Sequence, residues 1–101
     1  MDMNKMMKQV QKMQAELAKA QEELALAVVE GSSGGGAVKV EFTGQEVSRV
    51  SIDPEAVDPE DPSMLEDLLR AAFNDGLRAQ QALASERLGP LAGGMSLPGM
   101  H

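Results

Sequence analysis

Apolar residues recur at alternating intervals of three and four along the first quarter of the chain. The positions concerned are Met3, Met6, Val10, Met13, Leu17, Ala20 and Leu24. A helix with this heptad repeat presents a continuous apolar stripe that packs lengthwise against a partner. Most positions between these apolar residues hold good helix formers, namely Gln, Ala, Glu and Lys. The pattern predicts a helix from about residue 3 to about residue 24. Its packing seam is formed by Met6, Val10, Met13, Leu17 and Leu24.

A second copy of the chain is the partner that composition favours for this seam. The 101 residues fit one domain, and a domain of that size buries only a modest fraction of its surface. Phe42 and Phe73 are the only aromatic residues, so bulky core side chains are scarce. Eight methionines supply flexible apolar surface instead. We therefore expect a homodimer.

The middle of the chain predicts a three-stranded antiparallel meander. Val28 and Val29 begin a β-branched segment that leads into a Gly/Ser-rich loop at residues 31–36. Apolar and polar residues then alternate over 38–43 and again over 49–52, as in strands with one buried face. Gly44-Gln45 between them forms a hairpin turn. The loop at 31–36 lacks the Gly-Lys-Ser/Thr ending of a phosphate-binding loop, so a flexible connection is the favoured interpretation.

The last third of the chain predicts one long helix. An acidic, proline-punctuated connector occupies residues 53–62, and Ser63-Met64-Leu65-Glu66 has the spacing of a capping box. Helical apolar spacing continues to about Leu88, where Gly89-Pro90 is expected to end the helix. The order of elements indicates an α+β fold with the helices on one side of the sheet. Residues 1–90 are expected to form a single α+β domain, and residues 91–101 a flexible C-terminal tail.

Catalysis and metal binding find little support in the sequence. Cysteine is absent, the single histidine is His101, and no serine lies in a recognisable nucleophile context. Asp58, Glu60 and Asp61 are separated by prolines, unlike the ligands of a calcium loop. We expect no enzymatic activity, no cofactor, no metal and no small-molecule substrate. A signal-peptide pattern and a membrane-length apolar segment are also missing, which favours the cytoplasm.

Charge is segregated along the chain, and this weakens the argument against DNA binding from the net charge of −7. Residues 1–20 carry four lysines and two acids, which gives +2. Residues 41–69 carry nine acids and one arginine, which gives −8. Local fields, rather than the total charge, steer a charged ligand.

The four lysines of the first helix share one face. At 100° per residue, the positions of Lys5, Lys8, Lys12 and Lys19 correspond to relative angles of 0°, 300°, 340° and 320°, nearly opposite the apolar seam. A solvated face of an amphipathic helix explains this arrangement without any ligand. Lysines aligned on one face can also follow a row of phosphates, which is the functional interpretation. Arg78 and Arg87 on the last helix are further candidates for DNA contact.

Several segments, in this order, resemble the YbaB/EbfC family of bacterial nucleoid-associated proteins along nearly the whole chain. They are MNKMMKQVQKMQAELAKAQEEL, VEGSSGGGAVKVEFTG, VSIDP, SMLEDLLRAAFNDGLRAQ and GGMSLPG. The resemblance implies an α+β homodimer shaped like open tweezers, whose helical arms bind duplex DNA in the nucleoid. It implies neither a cofactor nor an enzymatic step. Gly76, inside the last helix, departs from an ordinary helical sequence, at a cost of about 1 kcal/mol relative to Ala.

Two functional hypotheses of different classes follow. The first is a nucleoid-associated protein that coats, bridges or compacts duplex DNA as a homodimer, largely independently of base sequence, through the lysine face. The second is a protein–protein adaptor that uses the Met-rich helix as an apolar docking face. An enzyme subunit is a third, less favoured alternative.

Overall fold

Two long helices and a small antiparallel sheet make up the computed structural model, which describes residues 2–93. Helix α1 (Met3–Leu26) precedes strands β1 (Val28–Ser33), β2 (Val38–Thr43) and β3 (Glu46–Ile52), and helix α2 (Pro62–Gly93) follows them. Short 3-10 turns occupy Gly34–Gly36 and Pro54–Ala56. The predicted α+β class, with its N-terminal helix, three-stranded meander and long C-terminal helix, is confirmed.

The sheet has the order β1-β2-β3, with both neighbouring pairs antiparallel. Val38 and Val40 of β2 lie opposite Ile52 and Val50 of β3, so these four side chains point to the same face. The hairpin turn at Gly44-Gln45 is confirmed, and Gly44 takes a positive φ of 60° there. Such a backbone conformation favours glycine because the residue has no Cβ.

The core lies where α2 crosses β1 and β2. Val38, Val40, Phe42 and Ala72 form its buried cluster, with the partly buried Phe73 packed against it. The two phenylalanine rings meet edge to face, with centroids 6.1 Å apart. In contrast, α2 makes few contacts with β3. The core is therefore small and covers only part of the sheet.

Two glycines allow α2 to lie directly on β1. A Cβ on Gly31 would lie 2.2 Å from the backbone nitrogen of Gly76, and a Cβ on Gly76 would lie 2.2 Å from Cε2 of Phe42. Both distances are far below van der Waals contact. Close helix–strand packing thus explains a glycine inside α2, where alanine would favour the helix itself.

The structure corrects the predicted loop at residues 31–36. Strand β1 continues through Ser33, and only Gly34–Gly36 turns the chain. Two contacts to α2 hold this added part of the strand: the Ser32 N–H donates to Oδ2 of Asp75 at 2.9 Å, and the Ser33 hydroxyl donates to the Leu68 carbonyl at 2.6 Å. These tertiary contacts override the loop-forming composition.

Both predicted ends of the last helix are also wrong. The helix begins at Pro62, one residue before the proposed cap, because proline's fixed φ and missing N–H suit the first helical position. Ser63 therefore lies within the helix, and its hydroxyl donates to Asp61 at 2.7 Å. At the other end, Gly89-Pro90 does not stop α2, which runs on to Gly93. Gly89 has no Cβ to clash with the proline ring, so it can remain helical. Residues 94–101 of the predicted tail lie outside the described residues.

Candidate nucleic-acid interface

Helix α1 forms an arm that extends away from the sheet. Its C-terminal end is anchored at the hairpin, where the Gly44 N–H donates to the Ala27 carbonyl at 2.9 Å. The Gln80 side-chain amide of α2 in turn donates to the Gly44 carbonyl. One turn earlier in α1, Glu23 contacts Arg87. The two helices therefore run antiparallel, and the N-terminal part of α1 extends beyond these contacts.

Glycine at position 44 is required for this anchor. A Cβ on Gly44 would lie 2.5 Å from the Ala25 carbonyl oxygen, in addition to the strain of its positive φ. The hairpin can thus approach the last turn of α1 closely. This contact is the point at which the arm leaves the body of the protein.

The structure exposes all four lysines of the predicted face. Lys5, Lys8, Lys12 and Lys19 lie along the arm, and the Lys12 side chain is 77% exposed. From Lys5 to Lys19 the face spans about 21 Å at 1.5 Å per residue. The 4.0 Å approach of Lys12 to Glu16 is a solvent-exposed pair within one helix, which holds the lysine weakly. The lysine side chains are therefore free to reach a polyanion.

The apolar seam becomes progressively more covered toward the C-terminal end of α1. Exposure falls from 74% at Met3 to 37% at Leu17 and 8% at Ala20. Met6, Val10 and Met13 also stay exposed, whereas Leu24 is partly buried and lines a groove with α2 residues. Within one chain, α2 covers only the last turns of the seam. The first four turns keep an uncovered apolar stripe.

The two predicted arginine contacts differ in their surroundings. Arg78 is exposed, about 200° around α2 from the buried Gly76, and forms no ion pair among residues 2–93. Arg87 donates from Nη1 to Oε2 of Glu23 at 2.6 Å. Sequence analysis missed this pair, because no spacing rule connects residues that are 64 positions apart.

The acidic connector lies at the end of α2 that is remote from the lysine arm. The connector at residues 53–61 precedes the first turn of α2, while the lysine arm lies beside the C-terminal part of that helix. The molecule is elongated, with principal extents of 71, 29 and 16 Å. From Pro62 beside the connector to Arg87 beside the arm, α2 spans about 38 Å at 1.5 Å per residue, which is several Debye lengths of about 8 Å at physiological ionic strength. The net charge of −7 is therefore compatible with a locally basic arm.

The connector carboxylates shape the backbone. Asp53 accepts from the Glu55 N–H and Asp58 accepts from the Glu60 N–H, both at 3.0 Å.

Within residues 2–93, no group of three or more acidic or histidine side chains is arranged to hold a metal ion. Nor does that part of the chain contain a helix long and apolar enough to cross a bilayer.

Comparisons with known proteins identify the family of this chain. The sequence model of the YbaB/EbfC DNA-binding family matches residues 1–95. A nucleoid-associated protein of Desulforamulus reducens is 54% identical, over 98% of this chain and 95% of its own. A nucleoid-associated protein of Nocardia farcinica is 50% identical, over 98% and 91% respectively. The crystal structure of an uncharacterized Helicobacter pylori protein superimposes with a TM-score of 0.67 at 29% identity, covering 94% of this chain and 97% of that one.

Proposed function

The chain belongs to the YbaB/EbfC DNA-binding family, and from this premise we propose that it binds duplex DNA as a homodimer through the lysine face of α1. The family is one of non-enzymatic nucleoid-associated proteins, so the expectation of no enzymatic activity and of a nucleoid location in the cytoplasm is met. Nucleoid DNA binding is supported by family membership itself. The lysine face, the dimer and the lack of base specificity are our additions.

The observation that carries the proposal is the exposed row Lys5, Lys8, Lys12 and Lys19 on an arm remote from the acidic connector. Ammonium groups on long, flexible side chains bind phosphates as point charges. Contacts of this kind position a protein on DNA without selecting sequence. Arg78 extends the proposed set on α2. Arg87 is already paired with Glu23, and we assign it a different role below.

Homodimerisation is proposed because one chain leaves two apolar surfaces uncovered. The first is the seam on α1, where Met6 and Val10 are 48% and 52% exposed. The second is the part of β3 that α2 does not reach, where Val47, Val50 and Ile52 are 45%, 44% and 36% exposed. A second copy would bury such surface and bring a second lysine arm to the same duplex. Two arms in one assembly permit the coating, bridging or compaction of DNA.

The protein–protein adaptor remains the second candidate, because the same uncovered Met-rich stripe could receive another protein. A charge-reversal experiment separates the two. Replacing Lys8→Glu together with Lys12→Glu should abolish duplex DNA binding while leaving dimerisation intact, since both residues lie opposite the seam. Electrophoretic mobility shift with duplexes of unrelated sequence is the measurement, with circular dichroism to confirm folding.

A matched control is available on the sheet. Lys39→Glu with Arg49→Glu makes the same change in charge on exposed side chains of β2 and β3, away from the arm. This control should retain most of the affinity. Equal losses in both double variants would indicate a general charge effect, and undiminished binding by the α1 variant would leave the lysine row as an ordinary solvated face.

A further inference from the structure

Arg87 and Glu23 form the one ion pair between α1 and α2 within residues 2–93. The contact is short, 2.6 Å from Nη1 to Oε2, and each side chain is about half exposed, at 49% and 43%. A guanidinium–carboxylate bond of this length is charge-assisted and directional. It joins elements that are distant in sequence, unlike the local pairs Lys12–Glu16 and Arg70–Asp67.

Apart from this ion pair, α1 and α2 pack loosely against each other near Glu23. A groove of about 890 Å³ lies between the last turns of α1, the hairpin and α2. Leu24 lines it from α1, and Leu83 and Leu88 line it from α2. Of the α1 residues, only Ala20 is buried. Apolar packing alone therefore leaves the arm angle weakly determined.

Glu23 also has a particular place relative to the lysine row. Its helical angle coincides with that of Lys5, so it continues the lysine face at the C-terminal end of α1. An unpaired carboxylate there would repel a phosphate backbone that follows the row. Arg87 neutralises this charge at the point where the face meets α2.

We propose that Arg87 is a positioning residue, which fixes the angle of the lysine arm against α2 through Glu23 and does not itself contact DNA. The pair supplies a second anchor point, one helical turn from the Gly44–Ala27 bond. With both contacts in place the direction of α1 is fixed, whereas with the hairpin contact alone α1 could swing about Ala27. The consequence for DNA rests on the function proposed above, while the fixed arm angle does not.

The arm angle can be measured without DNA. Because the chain has no cysteine, spin labels can be attached at Gln9→Cys on α1 and Ser85→Cys on α2. Labelled chains diluted with excess unlabelled protein report distances within one chain by pulsed electron paramagnetic resonance. A narrow distance distribution is expected for the parent. Glu23→Ala and Arg87→Ala should broaden it, and the charge exchange Glu23→Arg with Arg87→Glu should narrow it again. An unchanged distribution in both alanine variants overturns the proposal.

DNA affinity supplies the second measurement, because the two roles of Arg87 predict opposite signs at Glu23. If Arg87 contacts phosphate, Glu23→Ala removes an acid and tightens binding, as Glu22→Ala at the neighbouring exposed residue should. If Arg87 positions the arm, Glu23→Ala should bind about two- to fivefold more weakly than Glu22→Ala, the range that exposed ion pairs support. The exchanged double variant should regain the parent's affinity at the parent's net charge.

Each combination of distance and affinity results leads to one conclusion. Broad distances with reduced affinity, both restored by the exchange, support the positioning role. Affinity of Glu23→Ala equal to or tighter than that of Glu22→Ala overturns it, as does an exchanged variant that stays weak. A parent that binds no DNA contradicts the proposed function, while the distance measurements still decide whether the pair fixes the arm.

Discussion

Gly31 of β1 and Gly76 of α2 meet where the helix crosses the strand, so closely that a Cβ on Gly31 would lie 2.2 Å from the Gly76 nitrogen. The Phe42 ring occupies the space where a Gly76 side chain would lie. Because the buried cluster is small, consisting of Val38, Val40, Phe42 and Ala72, this crossing is central to stability.

Gly76→Ala should therefore destabilise the protein even though alanine favours helices. Helix propensity contributes about 1 kcal/mol in favour of alanine. Overpacking in a core costs about 1–3 kcal/mol. The cost at Gly76 should be near the upper end of that range, because the added Cβ would lie 2.2 Å from the nearest atom of the Phe42 ring. We expect a net loss of about 1–2 kcal/mol in the free energy of unfolding, measured by urea titration. Asn74→Ala, at an exposed position two residues away, should be neutral or stabilising. A stabilised Gly76→Ala variant would contradict the packing explanation.

The assembly in solution should be a homodimer. Light scattering at micromolar concentration should give about twice the chain mass of 10.7 kDa. Val10→Asp and Val50→Asp each place a charge on one of the two uncovered apolar surfaces, and burial of an unpaired charge is strongly unfavourable. A variant whose surface lies in the interface should give single chains or unfold, and loss of the dimer in both variants would show that both surfaces are buried in it. A monomeric parent, or dimers in both variants, would exclude the proposed surfaces.

DNA binding should weaken steeply with salt. Each phosphate neutralised contributes about −0.9 to the slope of log K against log salt concentration. Two arms offer eight lysines at most, and geometry will prevent some from engaging, so we expect a slope of about −3 to −6. Fluorescence anisotropy at four or more salt concentrations provides the measurement. Duplexes of different sequence should give similar slopes, and a slope near zero would rule out phosphate contact as the main source of affinity.

Residues 94–101 should contribute little to stability. Their sequence, GMSLPGMH, shows neither helical nor alternating apolar spacing. A chain that ends at Gly93 should keep its melting temperature within about 2 °C of the parent, since a 1 kcal/mol change shifts a domain of this size by about 4–8 °C. Differential scanning calorimetry of the two chains tests this. A decrease of many degrees would show that the tail packs on the domain.

Local patterns predicted the elements well because each is specified by its own residues. The heptad repeat gave the first helix almost to its ends, and alternation around Val40 and Phe42 gave the buried face of the second strand. The lysine row also followed from helical geometry. Predictions failed where distant residues decide the outcome. Asp75 and Leu68 extend β1 into a glycine-rich segment.

The same reasoning explains what the sequence could not reveal about the candidate site. Gly76 could be recognised as unusual, yet its reason lies in Phe42, more than thirty residues earlier. Arg87 could be identified as a cation on the last helix, but its partner Glu23 depends on how the two helices cross. Proximity of this kind follows from tertiary packing, for which no local spacing rule exists.

The double attachment of α1 to α2 restricts how the gene can change in length. The two attachment points are four positions apart at the end of α1, from Glu23 to Ala27, and seven positions apart in α2, from Gln80 to Arg87. Inserting one residue in either stretch would rotate one contact by about 100° and shift it by about 1.5 Å relative to the other. An insertion or deletion in either stretch would therefore break one of the two attachments. Length variation among descendants of this sequence should therefore accumulate in the connector at residues 53–61, which lies outside both helices.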